Sequence, residues 1–353
     1  MLMLSNLPDA VIVALFGLCG GMVLGLAARL GRFCTLGAIE DALYQGSDIR
    51  LRMWILAIGV AGAASFALVA AGALDLTQTA PYRAAWSPAA AILGGVLFGY
   101  GMSLAGNCGF GALARFGGGD LRSFVIVVVM GVSAYVLMSG PLAGMRVAFV
   151  AATSLAGENR SYAETLRDAT GLSLAASGMV LSLLIVLGAA SSRAFRARRQ
   201  SMFWAVLVGL AIAGGWAGTQ WIADTGFNAQ PVVSHTFTAP LGETLLFLMT
   251  SSAGGLSFGV GSVAGVLAGA FCGSLIKGHF RWEACEDPRE LRRQILGAVS
   301  MGFGAVLAGG CTIGQGISAF SLFTFSAPLV FGAIFAGAAL GLRQLITGFA
   351  PIR

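Results

Sequence analysis

The sequence has little charge, little histidine and no long polar stretch. Of its 353 residues, 10% are charged and two are histidines, whereas a soluble domain carries about 25% charged residues. No polar stretch exceeds about 30 residues, which is too short to bury a core of its own. A soluble enzyme with a membrane anchor is therefore excluded.

Other motifs are also missing. There is no GxxxxGK[ST] phosphate loop, so the chain does not hydrolyse ATP in the usual P-loop way. The six cysteines form no CxxC pair and no Cys/His cluster of zinc spacing. We therefore expect no disulfide framework, no metal, no cofactor and no enzymatic activity.

Apolar residues fill the chain instead. They make up 57% of it, the mean hydropathy is +0.85, and apolar runs of bilayer-spanning length, about 20 residues, recur throughout. We predict an all-α membrane protein with about nine transmembrane helices and short re-entrant half-helices such as Pro141–Thr153 and Leu241–Thr250. The nine predicted spans are Ala10–Ala28, Met53–Leu74, Ala89–Ala105, Phe124–Met138, Leu172–Ala190, Met202–Ala223, Gly254–Ile276, Gln294–Ala308 and Leu329–Leu345.

Basic residues are concentrated in short loops. The loops Arg193–Arg199 and Lys277–Arg293 are predicted to be cytoplasmic, because such loops carry an excess of Lys and Arg. A third basic loop, Arg29–Arg52, points the same way, although an inverted repeat would allow it to lie on the opposite face. The orientation of the termini therefore stays open.

One phrase occurs twice. Residues 92–111 and 295–314, offset by 203, share eleven of twenty positions, including five glycines and the cysteines Cys108 and Cys311. Internal repeats in a membrane chain are typical of transporters built on a pseudo-two-fold axis. We predict one integral membrane domain, 1–353, with a first half at 10–190 and a second at 200–348.

A second, weaker internal similarity, which we call the echo, relates positions that are 240 residues apart. It overlays Gly21 and Gly25 on Gly261 and Gly265, and it places Ser274 on Cys34 with Cys272 nearby. We expect Ser274 or Cys272 to be the second-half counterpart of Cys34.

Three cysteines share one context. Cys34, Cys108 and Cys311 each precede a glycine by three residues. Glycine breaks a helix, and a break at membrane depth is tolerated where it lines a cavity or is buried in protein. The following half-helix offers free N–H groups to an anion, and a polarizable thiol suits sulfur. We expect Cys19, Cys272 and Cys285 to be structural only.

Polar residues accompany these thiols. Asn107, Thr312 and Gln315 are candidates to orient an oxyanion, or equally to cap half-helices, and Arg115 is the candidate to attract an anion. His235 and His279 lie in polar loops, where we expect them to be solvated. The sequence therefore shows no proton relay.

The sequence resembles the YeeE/YedE family of bacterial inner-membrane proteins over nearly its whole length. The matching motifs are Arg32-Phe-Cys34 with Gly37-Ala, Gly106-Asn-Cys108-Gly-Phe-Gly, and Gly309-Gly-Cys311-Thr-Ile-Gly-Gln-Gly. The resemblance implies a multi-pass inner-membrane thiosulfate transporter with two pseudo-symmetric halves, whose cysteines contact the substrate along its path. It also implies a possible separate cytoplasmic sulfur-carrier protein of the TusA type.

The hypothesis is that thiosulfate passes inward along protonated thiols, to Cys34, Cys108 and Cys311 in turn. One alternative is a membrane sulfurtransferase that forms a persulfide, for which Cys34 beside Arg32 is the candidate thiolate. Others are a transporter of a selenium compound and a structural membrane subunit. Nucleic-acid binding is not expected.

Overall fold

The chain is helical throughout the part that the computed structural model describes, residues 8–155, 161–226, 230–251, 255–284 and 287–348. These residues form no strand, only isolated bridges, which confirms the all-α class. The α-helices are α1 (Asp9–Leu30), α2 (Thr35–Glu40), α3 (Ile49–Ala70), α4 (Ala80–Arg83), α5 (Pro88–Ala105), α6 (Gly109–Phe116), α7 (Leu121–Met138), α8 (Ala143–Thr153), α9 (Tyr162–Thr170), α10 (Leu174–Ala190), α11 (Arg193–Ala197), α12 (Arg199–Thr225), α13 (Thr238–Thr250), α14 (Phe258–Ile276), α15 (Pro288–Leu307) and α16 (Ser326–Thr347). Single π-helical segments follow α2 at Asp41–Gln45 and precede α16 at Gly314–Ala319.

Seven helical stretches of the described chain are long and apolar enough to cross a membrane, namely α1, α3, α5 together with α6 (Pro88–Phe116), α7, α12, α14 and α16. An eighth span results if α9 and α10, bent by 114°, are counted together. The predicted count of nine is not confirmed. The two other predicted spans lie on α10 and α15. α10 is short, with 17 residues, and the first turns of α15 are charged. Gly254 and Cys285 lie outside the described residues.

All three basic loops lie on one face of the helix bundle. The Lys277 ammonium after α14 donates to the carbonyl of Arg29 at 2.7 Å. The Arg52 guanidinium at the start of α3 donates to the Ser191 hydroxyl after α10 at 3.0 Å. We call this side the basic face. The loop at Arg29–Arg52, which an inverted repeat would have allowed on the other side, thus joins the other two.

Glycines set the closest helix contact between the two copies of the duplicated phrase. α5 and α15 cross antiparallel. A methyl group added at Gly101 would lie 2.5 Å from the carbonyl oxygen of Gly297, and one at Gly297 would lie 2.6 Å from that of Gly101. Small residues let helix backbones approach in lipid, where packing drives association. The contact is reciprocal, as a two-fold relation requires. The division at 10–190 and 200–348 itself stays a prediction.

The echo at offset 240 has a different explanation. α1 and α14 pack together, and both end at the basic face, so they run parallel. The backbone of Ser262 lies against Gly21, and that of Leu18 lies against Gly265. Parallel helices are not inverted copies, so the expectation that Ser274 matches Cys34 is wrong for an inverted repeat. The Ser274 hydroxyl instead donates to the Ala270 carbonyl and accepts from the Arg29 guanidinium, both at 2.7 Å.

We predict that Gly297→Ala destabilises the protein by about 1–3 kcal/mol, because the added methyl overpacks the α5–α15 contact. The measurement is thermal unfolding in detergent. The matched control is Gly332→Ala on α16, where the added methyl meets no atom within 4 Å, and its melting temperature should equal or exceed that of the wild type. Equal melting temperatures for Gly297→Ala and wild type would contradict the prediction.

Candidate functional site

Two cavities enter the protein from opposite faces. The first, which we call the outer cavity, has a volume of about 370 Å³ and opens on the side away from the basic face. Its rim includes Trp86 and Ser87 at the start of α5, and its inner end is lined by Gly309, Gly314 and Gln315. The outer cavity therefore ends at the turn that holds Cys311.

The second cavity, the basic cavity, has a volume of about 410 Å³ and opens on the basic face. Its lining includes Cys34, Asn107, Gly106 and Gly111 at the inner end. Five cationic side chains also line it: Arg29, Arg32, Arg50, Arg115 and Lys277.

The basic cavity carries an excess of positive charge. Arg50 is paired with Asp41 at 3.2 Å, and Glu40 is the carboxylate among the lining residues. Burial lowers the pKa of Lys277, and repulsion from the positive charges of Arg32 and Arg29 lowers it further. An anion entering the cavity would relieve that repulsion. The sequence identified Arg115 as the residue to attract an anion and Arg32 as the cation beside Cys34, whereas Arg29, Arg50 and Lys277 were interpreted only as indicators of topology.

Cys108 lies at a helix break. α5 ends at Gly106, whose φ of 79° is a left-handed conformation that favours glycine. Cys108 then precedes α6 as its N-cap, and its sulfur accepts the N–H of Gly111 at 3.4 Å. A side chain at Gly111 would crowd the space beside this sulfur, since its Cβ would lie 3.2 Å from that of Asn107. The glycine three residues after the cysteine thus belongs to the turn geometry.

Cys311 repeats that geometry. α15 ends before Gly309, whose φ is 71°, and the Cys311 sulfur accepts the N–H of Gly314 at 3.5 Å. It also accepts the N–H of Phe237 at 3.4 Å and contacts the hydroxyl of Thr236 at 3.7 Å. The extended segment before α13 therefore meets this turn, a long-range contact that the sequence pattern did not indicate.

The three thiols form one group. Cys108 is the central thiol, because it lies close enough to both Cys34 and Cys311 for their charges to act on it. The hydroxyl of Thr312 lies beside the Cys108 thiol. Cys108 and Cys311 are each 1% exposed, while Cys34 is half-buried at the basic cavity. Two buried thiols thus separate the cavities. Cys19 and Cys272 are exposed on the outside of the bundle.

The other predicted residues divide by role. Asn107 lines the basic cavity, and its buried Oδ1 has no hydrogen-bond partner among the described residues. Gln315 donates from Nε2 to the Gly309 carbonyl at 3.0 Å, so it braces the Cys311 turn while also lining the outer cavity. Arg115 lies exposed in the last turn of α6.

The two histidines differ. His279 is exposed, as expected. His235 is fully buried, so the expectation that it is solvated is wrong. Its Nδ1 pairs with the Ser262 hydroxyl at 2.6 Å, its ring lies beside Phe258, and it lines the outer cavity. The polar residues around it in sequence suggested a loop in water, yet the folded chain covers them.

Comparisons with known proteins agree with one another. A family model described as sulphur transport matches residues 29–340. The thiosulfate transporter TsuA of Escherichia coli K12 is 29% identical over 329 residues, covering 88% of both chains. The thiosulfate transporter TsuA of Spirochaeta thermophila is 24% identical over 328 residues, covering 89% of this chain and 94% of its own.

We predict that an anionic methanethiosulfonate reagent modifies Cys34 faster than Cys108 or Cys311, because Cys34 lines the basic cavity and the others are buried. Arg115→Gln should lower the Cys34 rate about two- to fivefold, since cationic clefts concentrate anions. Mass spectrometry of the cysteine peptides measures the rates.

Two controls accompany this measurement. A neutral methanethiosulfonate should react with Cys34 at the same rate in both proteins, and Arg196→Gln, a cation outside the cavity, should leave the anionic rate unchanged. An equal loss for both reagents in Arg115→Gln would show a change of structure and not of charge.

Proposed function

Because this chain belongs to the sulphur transport family, as the YeeE/YedE resemblance implied, we propose that it carries thiosulfate or a related sulfur-containing anion inward across a bacterial inner membrane. One observation carries the proposal: two matched cysteine turns, buried in the protein, separate a cavity at each face. The printed names of both relatives support thiosulfate as the substrate. The basic face is cytoplasmic by the excess of Lys and Arg in its loops.

The thiols act as hydrogen-bond donors. The sulfurs of Cys108 and Cys311 accept backbone N–H groups, which leaves the S–H proton of each thiol to donate to the anion. Hydrogen bonds to a charged partner contribute about 1.5–3 kcal/mol each, which offsets part of the cost of dehydrating the anion without trapping it. The thiols stay protonated, because a thiolate would repel the anion.

The path crosses the thiols in an order that differs from the order in the chain. Cys311 lies at the inner end of the outer cavity, Cys108 is central, and Cys34 lines the basic cavity. An incoming anion therefore meets Cys311 first and Cys34 last, the reverse of the order expected from the sequence. Arg115 and the other cations of the basic cavity then receive it at the exit.

The membrane potential opposes this movement. Carrying two negative charges inward against 100 mV costs about 4.6 kcal/mol. We propose facilitated transfer that is pulled by consumption of the anion in the cytoplasm. A separate sulfur-carrier protein of the TusA type is the proposed acceptor, and the exposed cations of the basic face are the surface on which it would meet the exit.

We predict that Cys108→Ala and Cys311→Ala each lower thiosulfate uptake by about ten- to a hundredfold, since each loses one hydrogen bond to a charged substrate. Cys34→Ala should have a smaller effect, because cations line the cavity beside it. Uptake of radiolabelled thiosulfate into proteoliposomes measures this, with Cys19→Ala and Cys272→Ala as matched controls at exposed sites.

Wild-type uptake by all three variants would contradict this mechanism and favour a structural subunit. The sulfurtransferase alternative is separated by mass spectrometry after thiosulfate exposure. A persulfide on Cys34, which shares its cavity with Arg32, would support that enzyme, whereas unmodified cysteines support passage of an intact anion. Competition by selenium oxyanions tests the remaining substrate class.

We predict that in proteoliposomes without internal consumption, an inside-negative potential of about 100 mV lowers accumulated thiosulfate far below its external concentration, because each charge costs about 2.3 kcal/mol. A protonophore should leave the initial rate unchanged when no potential is imposed. Uptake that a protonophore abolishes, and that internal trapping does not stimulate, would contradict facilitated transfer.

A further inference from the structure

The two halves correspond in their helix directions. α1 ends at the basic face, where α12 begins, and α3 begins there, where α14 ends. The offset of 203 that relates the duplicated phrases also joins antiparallel helices, α5 and α15. A single offset of about 203 residues thus relates elements that run in opposite directions, as in an inverted repeat.

That offset identifies the counterpart of the Cys34 turn in the second half. Moving by 203 residues places Cys34 on Phe237 and Thr35 on Thr238. Cys34 and Phe237 are the N-caps of α2 and α13, and Thr35 and Thr238 are the first residues of those helices. The second half thus keeps the threonine and has a phenylalanine in place of the thiol, with its ring centroid 5.3 Å from that of Phe110.

The Thr238 hydroxyl is buried without a partner. Thr238 is 2% exposed, and its Oγ1 has no hydrogen-bond partner among the described residues. Native proteins rarely leave buried polar atoms unpaired, so such an atom needs an explanation. Its neighbour Phe237 donates its N–H to the Cys311 sulfur. The Cα atom of Thr238 is about 3.8 Å from the Cα atom of Phe237, so Thr238 directly follows the residue that contacts Cys311.

The same combination recurs at the other two thiols. Thr35 follows Cys34 directly, and the Thr312 hydroxyl lies beside the Cys108 thiol. Both are buried, and within the described chain neither hydroxyl has a hydrogen-bond partner, apart from the Cys108 thiol next to Thr312. Cys34 and Cys311 are thus each accompanied by a threonine hydroxyl that is free to donate, and at Cys108 the threonine hydroxyl lies against the thiol itself.

We infer that Thr238 is a substrate contact that determines specificity: it donates its hydroxyl to an oxygen of the anion while Cys311 binds the sulfur end. The inference rests on the proposed transport function. A thiol is a weak, polarizable donor suited to sulfur, and a hydroxyl is a stronger donor suited to oxygen. Paired thiols and hydroxyls select an anion that carries both a terminal sulfur and oxygens.

The test compares Thr238→Val, which keeps the shape and removes the donor, with Thr238→Ser, which keeps the donor. Thiosulfate uptake is measured in proteoliposomes as KM and maximal rate, together with the melting temperature. We expect Thr238→Val to raise KM about ten- to a hundredfold, the effect of one hydrogen bond to a charged group, with no loss of melting temperature. Thr238→Ser should stay within about threefold of the wild type by the same reasoning.

The matched control is Thr244→Val on the same helix, because the Thr244 hydroxyl is already satisfied by the Pro240 carbonyl at 2.7 Å. Its KM should not change. If the wild type takes up thiosulfate and Thr238→Val does so with the same KM, or with a fall in maximal rate and melting temperature alone, the inference is overturned while the transport function stands. If the wild type takes up no thiosulfate, the transport function fails and the inference falls with it.

Discussion

A backbone N–H group inside a lipid bilayer has no water to bind, so each helix break at membrane depth needs an acceptor from the protein. In this chain the acceptors at two breaks are sulfur atoms. Cys108 and Cys311 each take the N–H of the glycine three residues later, and the glycine conformations at Gly106 and Gly309 make the turns possible. One break follows α5 and the other follows α15, and reciprocal glycine contacts hold the backbones of these two helices together. The position of the thiols between the cavities follows from this one requirement.

Features that depend on residues close together in the sequence were predicted from the sequence alone. The helical class, the helix positions and the glycine-flanked cysteine turns follow from hydropathy and from residues within a few positions of one another.

Long-range contacts could not be predicted in the same way. His235 sits among polar residues in the sequence, yet it is buried between α1 and α14 because Gly20 leaves space for its ring and Ser262 binds it. The echo at offset 240 reflected two helices that share a glycine pattern because they pack on each other. Cys34-Thr35 and Phe237-Thr238 share too few letters to be aligned before the helix directions are known.

The two cavities differ in charge, which would give the proposed path a direction. Arg146 is the one cationic side chain among the described residues that line the outer cavity, and it donates to the Met138 carbonyl at 3.4 Å. The basic cavity has several cations with few carboxylates to balance them. An anion therefore experiences a more favourable potential as it approaches the basic face, which opposes part of the membrane potential within the protein itself. Asp41, the acidic partner of Arg50, reduces this positive field.

In the proposed transporter the two buried thiols also act as an electrical seal. Protons hop through a membrane protein along a chain of hydrogen-bonded water, and Cys108 and Cys311, each 1% exposed, leave little surface for such a chain. In the proposed mechanism the substrate sheds its hydration shell to pass, and chloride or phosphate would gain no comparable compensation from soft sulfur donors. A cell could keep such a protein in its energy-coupling membrane without dissipating the proton gradient that its ATP synthesis requires.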